Sequence, residues 1–171
     1  MADLTSEQIN ALVAELNYHK YLVNISNATN GTFLTASLSL GPLASAPKLE
    51  PDVETKETTL YETGDEPQAE ILSKNNAKLT IETRDMDSAM AMLTKLKKGD
   101  NILAAANALV ITLVPITSDA TAKGFTFGNA FLDPGLSTTF SEGDDTPSYA
   151  SLVFKCRPDA NGNVVDYAVI S

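Results

Sequence analysis

The sequence predicts a mainly β domain of the α+β class, a β-sandwich or barrel flanked by one central helix over about 86–98, with a second helix over about 6–17 at the N-terminus. Two observations predict it. Residues 77–83 and 149–156 alternate apolar and polar side chains with the two-residue period of a half-buried strand. Between them one segment switches to the helical period, placing Met86, Ala89, Met90, Leu93 and Leu96 on one stripe.

The N-terminal helix is predicted from its start signal. Thr5 and Gln8 have the spacing of a capping box, and Leu4 and Ile9 that of a hydrophobic staple. Ile9, Leu12, Val13 and Leu16 then repeat at helical spacing. Such an apolar stripe has to dock, on this domain or on a neighbouring subunit. Residues 18–25 read as a strand, Asn30-Gly31 as a two-residue hairpin turn, and 32–40 as a half-buried strand with Leu34, Ala36, Leu38 and Leu40 on its apolar face.

Three prolines make 41–51 a loop with little ladder pairing. The Thr-rich segment 53–63 reads as an extended strand with an acidic face, turning at 64–67. Together 41–72 form an expected projecting acidic loop or hairpin. Asp85 or Asp87 caps the central helix, Lys95, Lys97 and Lys98 complement its C-terminal dipole, and Gly99 supplies a left-handed stop. Residues 109–116 form a continuous β-branched run expected in a central strand. Short strands follow at 125–127 and 129–132, and Asp133-Pro134-Gly135 reads as a turn. The chain is expected to end in a hairpin, 149–156 with 164–170, turning over 158–163.

At 171 residues, residues 1–171 are expected to form a single domain. The net charge of −10 is concentrated: residues 50–70 hold eight acids and one base, Lys56, for a net of −7. That balance opposes a nucleic-acid grip, which relies on clustered Lys and Arg. No apolar run reaches the ~18 residues that span a bilayer, and the first residues lack the basic start and apolar core of a signal peptide. The sequons at Asn24, Asn27 and Asn30 are accordingly read as polar turn sequence. A single cysteine excludes an internal disulfide, and Cys156 falls on an alternating strand as a structural thiol.

Chemistry-bearing residues are scarce. His19 is the only histidine and has no evident nucleophile partner, and no G-x-S-x-G or phosphate-binding glycine loop occurs. Asp159, Asn161 and Asn163 begin like a calcium loop, but Val164 and Ile170 occupy the places that need Gly and a bidentate Glu. Glu142, Asp144 and Asp145 cluster as acidic turns do. The expectation is a protein that is not an enzyme, with no cofactor, no catalytic residue and no metal ligand.

Residues 78–85 leading into the 86–98 helix, the segment 128–140 and the closing 149–162 stretch together resemble the phage major tail and tail-tube proteins. The resemblance is one of style over most of the chain. It implies a β-sandwich or barrel that assembles into stacked rings, typically of six subunits. The rings form a hollow tube, with a long loop or hairpin reaching the next subunit. Implied partners are further copies of this chain and other tail proteins, with DNA only in transit, no specific binding and no membrane. The implied location is the virion, or the bacterial cytoplasm before assembly. An acidic lumen suits a DNA conduit because it repels phosphate. Glu54, Glu57, Glu62, Asp65, Glu66 and Glu70 are the candidates for that lumen or for an assembly surface. The alternative class is a non-catalytic β-sandwich binding domain of the adhesin-like kind.

Overall fold

Side chains two apart along each strand point the same way, and here one of the two sets is consistently apolar. Val23 and Ile25, Leu79 and Ile81, Leu109, Ile111 and Leu113, and Ala150, Leu152, Phe154 and Cys156 all turn inward and are buried. Each fully buried Leu, Ile or Phe contributes about 1.5–3 kcal/mol, so this single face is the main source of stability.

The computed structural model describes residues 5–8, 10, 19–59, 64, 67–143 and 145–170. These form strands β1 (Tyr21–Asn27), β2 (Leu38–Ser39), β3 (Lys48–Thr59), β4 (Pro67–Thr83), β5 (Leu109–Pro115), β6 (Lys123–Thr139), β7 (Tyr149–Cys156) and β8 (Asp166–Val169). Helix α1 (Met86–Leu93) lies between β4 and β5 in sequence and packs on β6 and β7. All pairings are antiparallel, in the order β2-β1-β5-β6-β7-β4-β3, with β8 on the remaining part of β6. The architecture is the expected mainly β one with few helices.

The sheet closes on itself through residues 38–44. On one side β2 pairs with β1, and Leu40 N–H donates to the Val23 carbonyl at 2.9 Å. On the other, Ala44 N–H donates to the Glu82 carbonyl at 2.8 Å and Arg84 N–H to the Pro42 carbonyl at 2.7 Å, flanking a bridge between Leu43 and Thr83. One short segment thus joins β1 to β4, which makes the architecture barrel-like. Thr83, fully buried, completes the joint: its hydroxyl donates to the Pro42 carbonyl at 3.4 Å and accepts from Asp85 N–H at 3.1 Å.

The same joint starts α1. Asp85 is its N-cap, accepting from Ser88 N–H at 3.2 Å and from Gly41 N–H at 3.3 Å. Hydrogen bonds from Ser88, with a smaller one from Gly41, hold the Asp85 carboxyl below its usual range. The helix is shorter than 86–98. It ends at Leu93, where Thr94 returns its hydroxyl to the Met90 carbonyl at 2.7 Å, so Lys95, Lys97 and Lys98 lie beyond it. Gly99 does take a positive φ of 99°, but in the turn that follows. Met92, which the sequence stripe omits, is buried beside Ala89 and Leu93.

Four further differences have local causes. Asn30-Gly31 makes no hairpin, because Asn27 bonds Leu34 in both directions (2.6 and 2.8 Å) and Thr32 N–H donates to the Ala106 carbonyl. Gly31 is required there by crowding, since a Cβ would sit 2.5 Å from the Ala108 carbonyl oxygen. Pro51 lies inside β3, opposite Ala77, where an edge strand tolerates the missing N–H. Asp133-Pro134-Gly135 does not turn the chain. β6 runs through it, and the extra residues form an irregularity between the pairs Asp133–Val153 and Ser137–Ser151.

Finally, β7 and β8 are not a hairpin. Both run antiparallel to β6, β7 along residues 130–139 and β8 along 123–126, so the chain continues along one edge of β6. Asn129 holds the intervening loop, accepting Arg157 N–H and donating to the Pro158 carbonyl. The Asp159 carboxylate is occupied by that loop, accepting from Asn161 and Asn163 N–H at 2.8 and 3.1 Å. At the N-terminus the capping box is present: Thr5 N–H donates to Gln8 Oε1 at 2.9 Å and Gln8 N–H to Thr5 Oγ1 at 3.3 Å. Residues 6–8 and 10 are helical, and the rest of the expected 6–17 helix lies outside the described residues.

Two outcomes follow from this core. Thr83→Val keeps the shape but orphans the Asp85 N–H, and is expected to cost about 1–3 kcal/mol in chemical denaturation. An unchanged midpoint would mean that the joint does not need the hydroxyl. Burial pushes the Cys156 thiol up to about 12. Its folded pKa thus exceeds the ordinary 9.0, so its contribution to stability is whole below pH 9 and is lost as pH rises towards 12. Native protein should be inert to thiol reagents at pH 8 and react stoichiometrically once unfolded.

Candidate assembly surface

β4 belongs to two ladders. Its residues 77–83 pair with β7 on one side, while its residues 67–80 pair with β3 on the other. From Asn76 outward β4 has only β3 beside it among the described residues, so 52–59 and 67–76 form a two-stranded ribbon. Residues 51–59 and 69–73 are exposed throughout. The hairpin starts at Lys48 and runs to Thr83, because 42–44 are used in closing the barrel.

The register gives the ribbon two different faces. Lys48, Glu50, Asp52 and Glu54 alternate along one, opposite Thr80, Lys78, Asn76 and Lys74. All three ion pairs among the described residues lie here: Lys48–Glu50 at 3.0 Å, Lys74–Asp52 at 2.9 Å and Lys74–Glu54 at 3.5 Å. Lys48 lowers the Glu50 carboxyl below its usual range, and Asp52, with Glu54, raises the Lys74 amine. These pairs are exposed, so each stabilises little.

An irregularity between Glu54 and Thr55 leaves Ser73 as an extra residue, its hydroxyl bonded to the Glu54 carbonyl at 3.0 Å. Beyond it Thr55 faces Leu72 and Glu57 faces Glu70. Like charges directly opposite in a ladder are destabilising. Thr55 partly offsets this by donating its hydroxyl to Glu70 at 2.6 Å. Val53, Ile71 and Leu72 are 50–60% exposed along the same ribbon, and Leu49 at its base is 45% exposed.

Of the six acids singled out in the sequence, Glu54, Glu57 and Glu70 therefore lie on this ribbon, Glu54 beside Lys74 and the other two facing each other. Glu62, Asp65 and Glu66 lie outside the described residues. The sequence window missed two things. Lys48 and Lys74 fall just outside it yet fold back onto its acids, and the exposed apolar residues show only once strand pairing is known. Both are signals of hairpin register, which a linear charge count does not carry.

A second surface is a groove of about 580 Å3 between the start of β1 and residues 40–47, lined mainly by apolar side chains. A third is the β6–β7 end, where Leu136 and Phe140 are exposed. No group of three His, Cys, Asp or Glu that could hold a metal ion occurs among the described residues. Nor is any of their helices long and apolar enough to cross a membrane.

No protein-family model and no curated protein matches the sequence. Solved structures do match the fold. One is a chain of the sheath-tube complex of an extracellular contractile injection system (PVC) in its extended state: TM-score 0.56 and 10% identity, covering 98% of this chain and 100% of that one. Another belongs to the sheath/tube terminator of the same kind of system: TM-score 0.50 and 11% identity, covering 89% of this chain and 95% of that one. In fold, therefore, the chain is similar over nearly its whole length to components of contractile injection systems, in keeping with the tail-tube resemblance of its sequence.

Proposed function

We propose that this chain is a structural subunit of a phage-tail-like apparatus, polymerising into stacked rings around a hollow conduit. The observation that carries the proposal is the end-to-end likeness in fold to a chain of a sheath-tube complex, with no segment of that chain left over. The ribbon supports it physically. A two-stranded ribbon is marginal in water on its own, and this one leaves apolar Leu49, Val53, Ile71 and Leu72 to solvent. Covering those side chains with a neighbouring copy removes the penalty and fixes the spacing between rings.

In this reading Glu54, Glu57 and Glu70, together with Glu62, Asp65 and Glu66, give the assembly its negative surface. Where they line the conduit, repulsion keeps a phosphate polymer from adhering. The subunit does no chemistry. Its partners are further copies, in rings of six, and other tail proteins. Its place is the virion, or the cytoplasm of the producing cell before assembly.

Excision of residues 53–74, joined by a short turn, tests this directly. The variant is expected to keep the cooperative unfolding of the barrel while electron microscopy shows loss of the rings or tubes formed by the intact chain. Tubes formed equally well without the ribbon would contradict its role.

A further inference from the structure

Two surfaces of this chain are complementary to each other. On the ribbon Thr55 pairs with Leu72 and Glu57 with Glu70. Side chains two apart on a strand point the same way, so Leu72, Glu57 and Glu70 share one face. All three are exposed, and neither glutamate has an ion-pair partner among the described residues. A surface that completes this face has to be basic and to offer a seat for an apolar side chain.

The connection from α1 to β5 has both properties. Lys95, Lys97 and Lys98 fall within four residues, the densest basic stretch in a chain of net charge −10, and all three are exposed. None of them forms an ion pair among the described residues. The nearby Asp100 is engaged by the backbone, accepting Lys97 N–H at 2.8 Å. Lys95 also lines a hollow of about 400 Å3 with Phe33, Leu96 and Ala104, its Nζ 5.1 Å from the centre of the Phe33 ring. Leu103, next to Ala104 in the chain, is 43% exposed. Other lysines are less available. Lys48 and Lys74 are held by ribbon acids, and Lys78 and Lys155 share a hollow with Glu50, Asp52 and Asp133.

We propose that the Glu57, Glu70 and Leu72 face of one copy docks on the 95–104 connection of the next copy. The glutamates meet Lys97 and Lys98, and Leu72 covers the hollow beside Phe33. Charge complementarity selects a second copy as the occupant, because the chain carries both halves of the contact and no ion pair among the described residues joins them within one molecule. The two halves lie on different elements, so the contact is head-to-tail, the kind that closes into rings or propagates as a polymer. The inference rests on the assembly reading and deepens it by naming the surface that receives the ribbon.

Charge reversal in the full-length chain tests it, with assembly read by sedimentation and electron microscopy. Glu57→Lys/Glu70→Lys and Lys97→Glu/Lys98→Glu are each expected to raise the concentration needed for assembly by ~tenfold or more, since like charges then face each other. The fourfold variant, which swaps both signs, is expected to restore assembly. The unfolding midpoints are expected to stay native, as all four positions are exposed. Should a reversal destabilise the barrel, Glu57→Gln/Glu70→Gln and Lys97→Gln/Lys98→Gln are read in the same way, with a smaller loss. Assembly that either reversal leaves unchanged, or that the fourfold variant fails to recover, overturns this contact and leaves the assembly reading standing. An intact chain that stays monomeric at high concentration overturns both.

Discussion

Residues 38–44 bond to β1 with one end and to β4 with the other, and the rest of the molecule depends on that closure. A barrel has no open edge where its first and last strands meet, and here a short connecting segment does the work of a strand. Thr83 is the hinge of the arrangement, because its buried hydroxyl serves both the Pro42 carbonyl and the Asp85 N–H. Asp85 in turn caps α1 and bonds Gly41. Sheet closure and helix placement are therefore one set of hydrogen bonds.

Closure also determines what becomes of β3 and β4. Once 42–44 occupy the end of β4, the hairpin joins the barrel only from Lys48, and only residues 77–83 of β4 can be shared with β7. Among the described residues, those in the outer part of the hairpin have no third strand. Their charges form a ladder of exposed ion pairs on one face, which contributes to register and solubility more than to stability. The other face mixes apolar side chains with the opposed Glu57 and Glu70. The ribbon is thus the least self-sufficient part of the described fold and the part best suited to complete itself on another molecule.

Much of this was legible in the sequence where local rules govern. The alternation of 77–83 and 149–156 placed the core strands, and the Thr5–Gln8 spacing located a capping box that the structure contains. The misreadings came where tertiary contacts overrode strong local signals. Asn30-Gly31 is good hairpin chemistry, but Asn27 and the Ala106–Ala108 backbone take up its neighbours first. Pro134-Gly135 is good turn chemistry, but β6 pairs with β7 on either side of it and takes up the extra residues as an irregularity. The candidate surface was half legible. Its position was readable from acid and threonine content, whereas the neutralising Lys48 and Lys74 and the exposed apolar set required the cross-strand register.

The most direct test of the proposed assembly is electron microscopy of the intact chain at high concentration, with helical reconstruction of any polymer it forms. The account predicts that Leu49, Val53 and Leu72 of each ribbon are buried against a neighbouring copy, while the barrel keeps the closure at 38–44. A polymer in which the ribbons stand free in solvent, with the barrels holding the rings together by other faces, would contradict it.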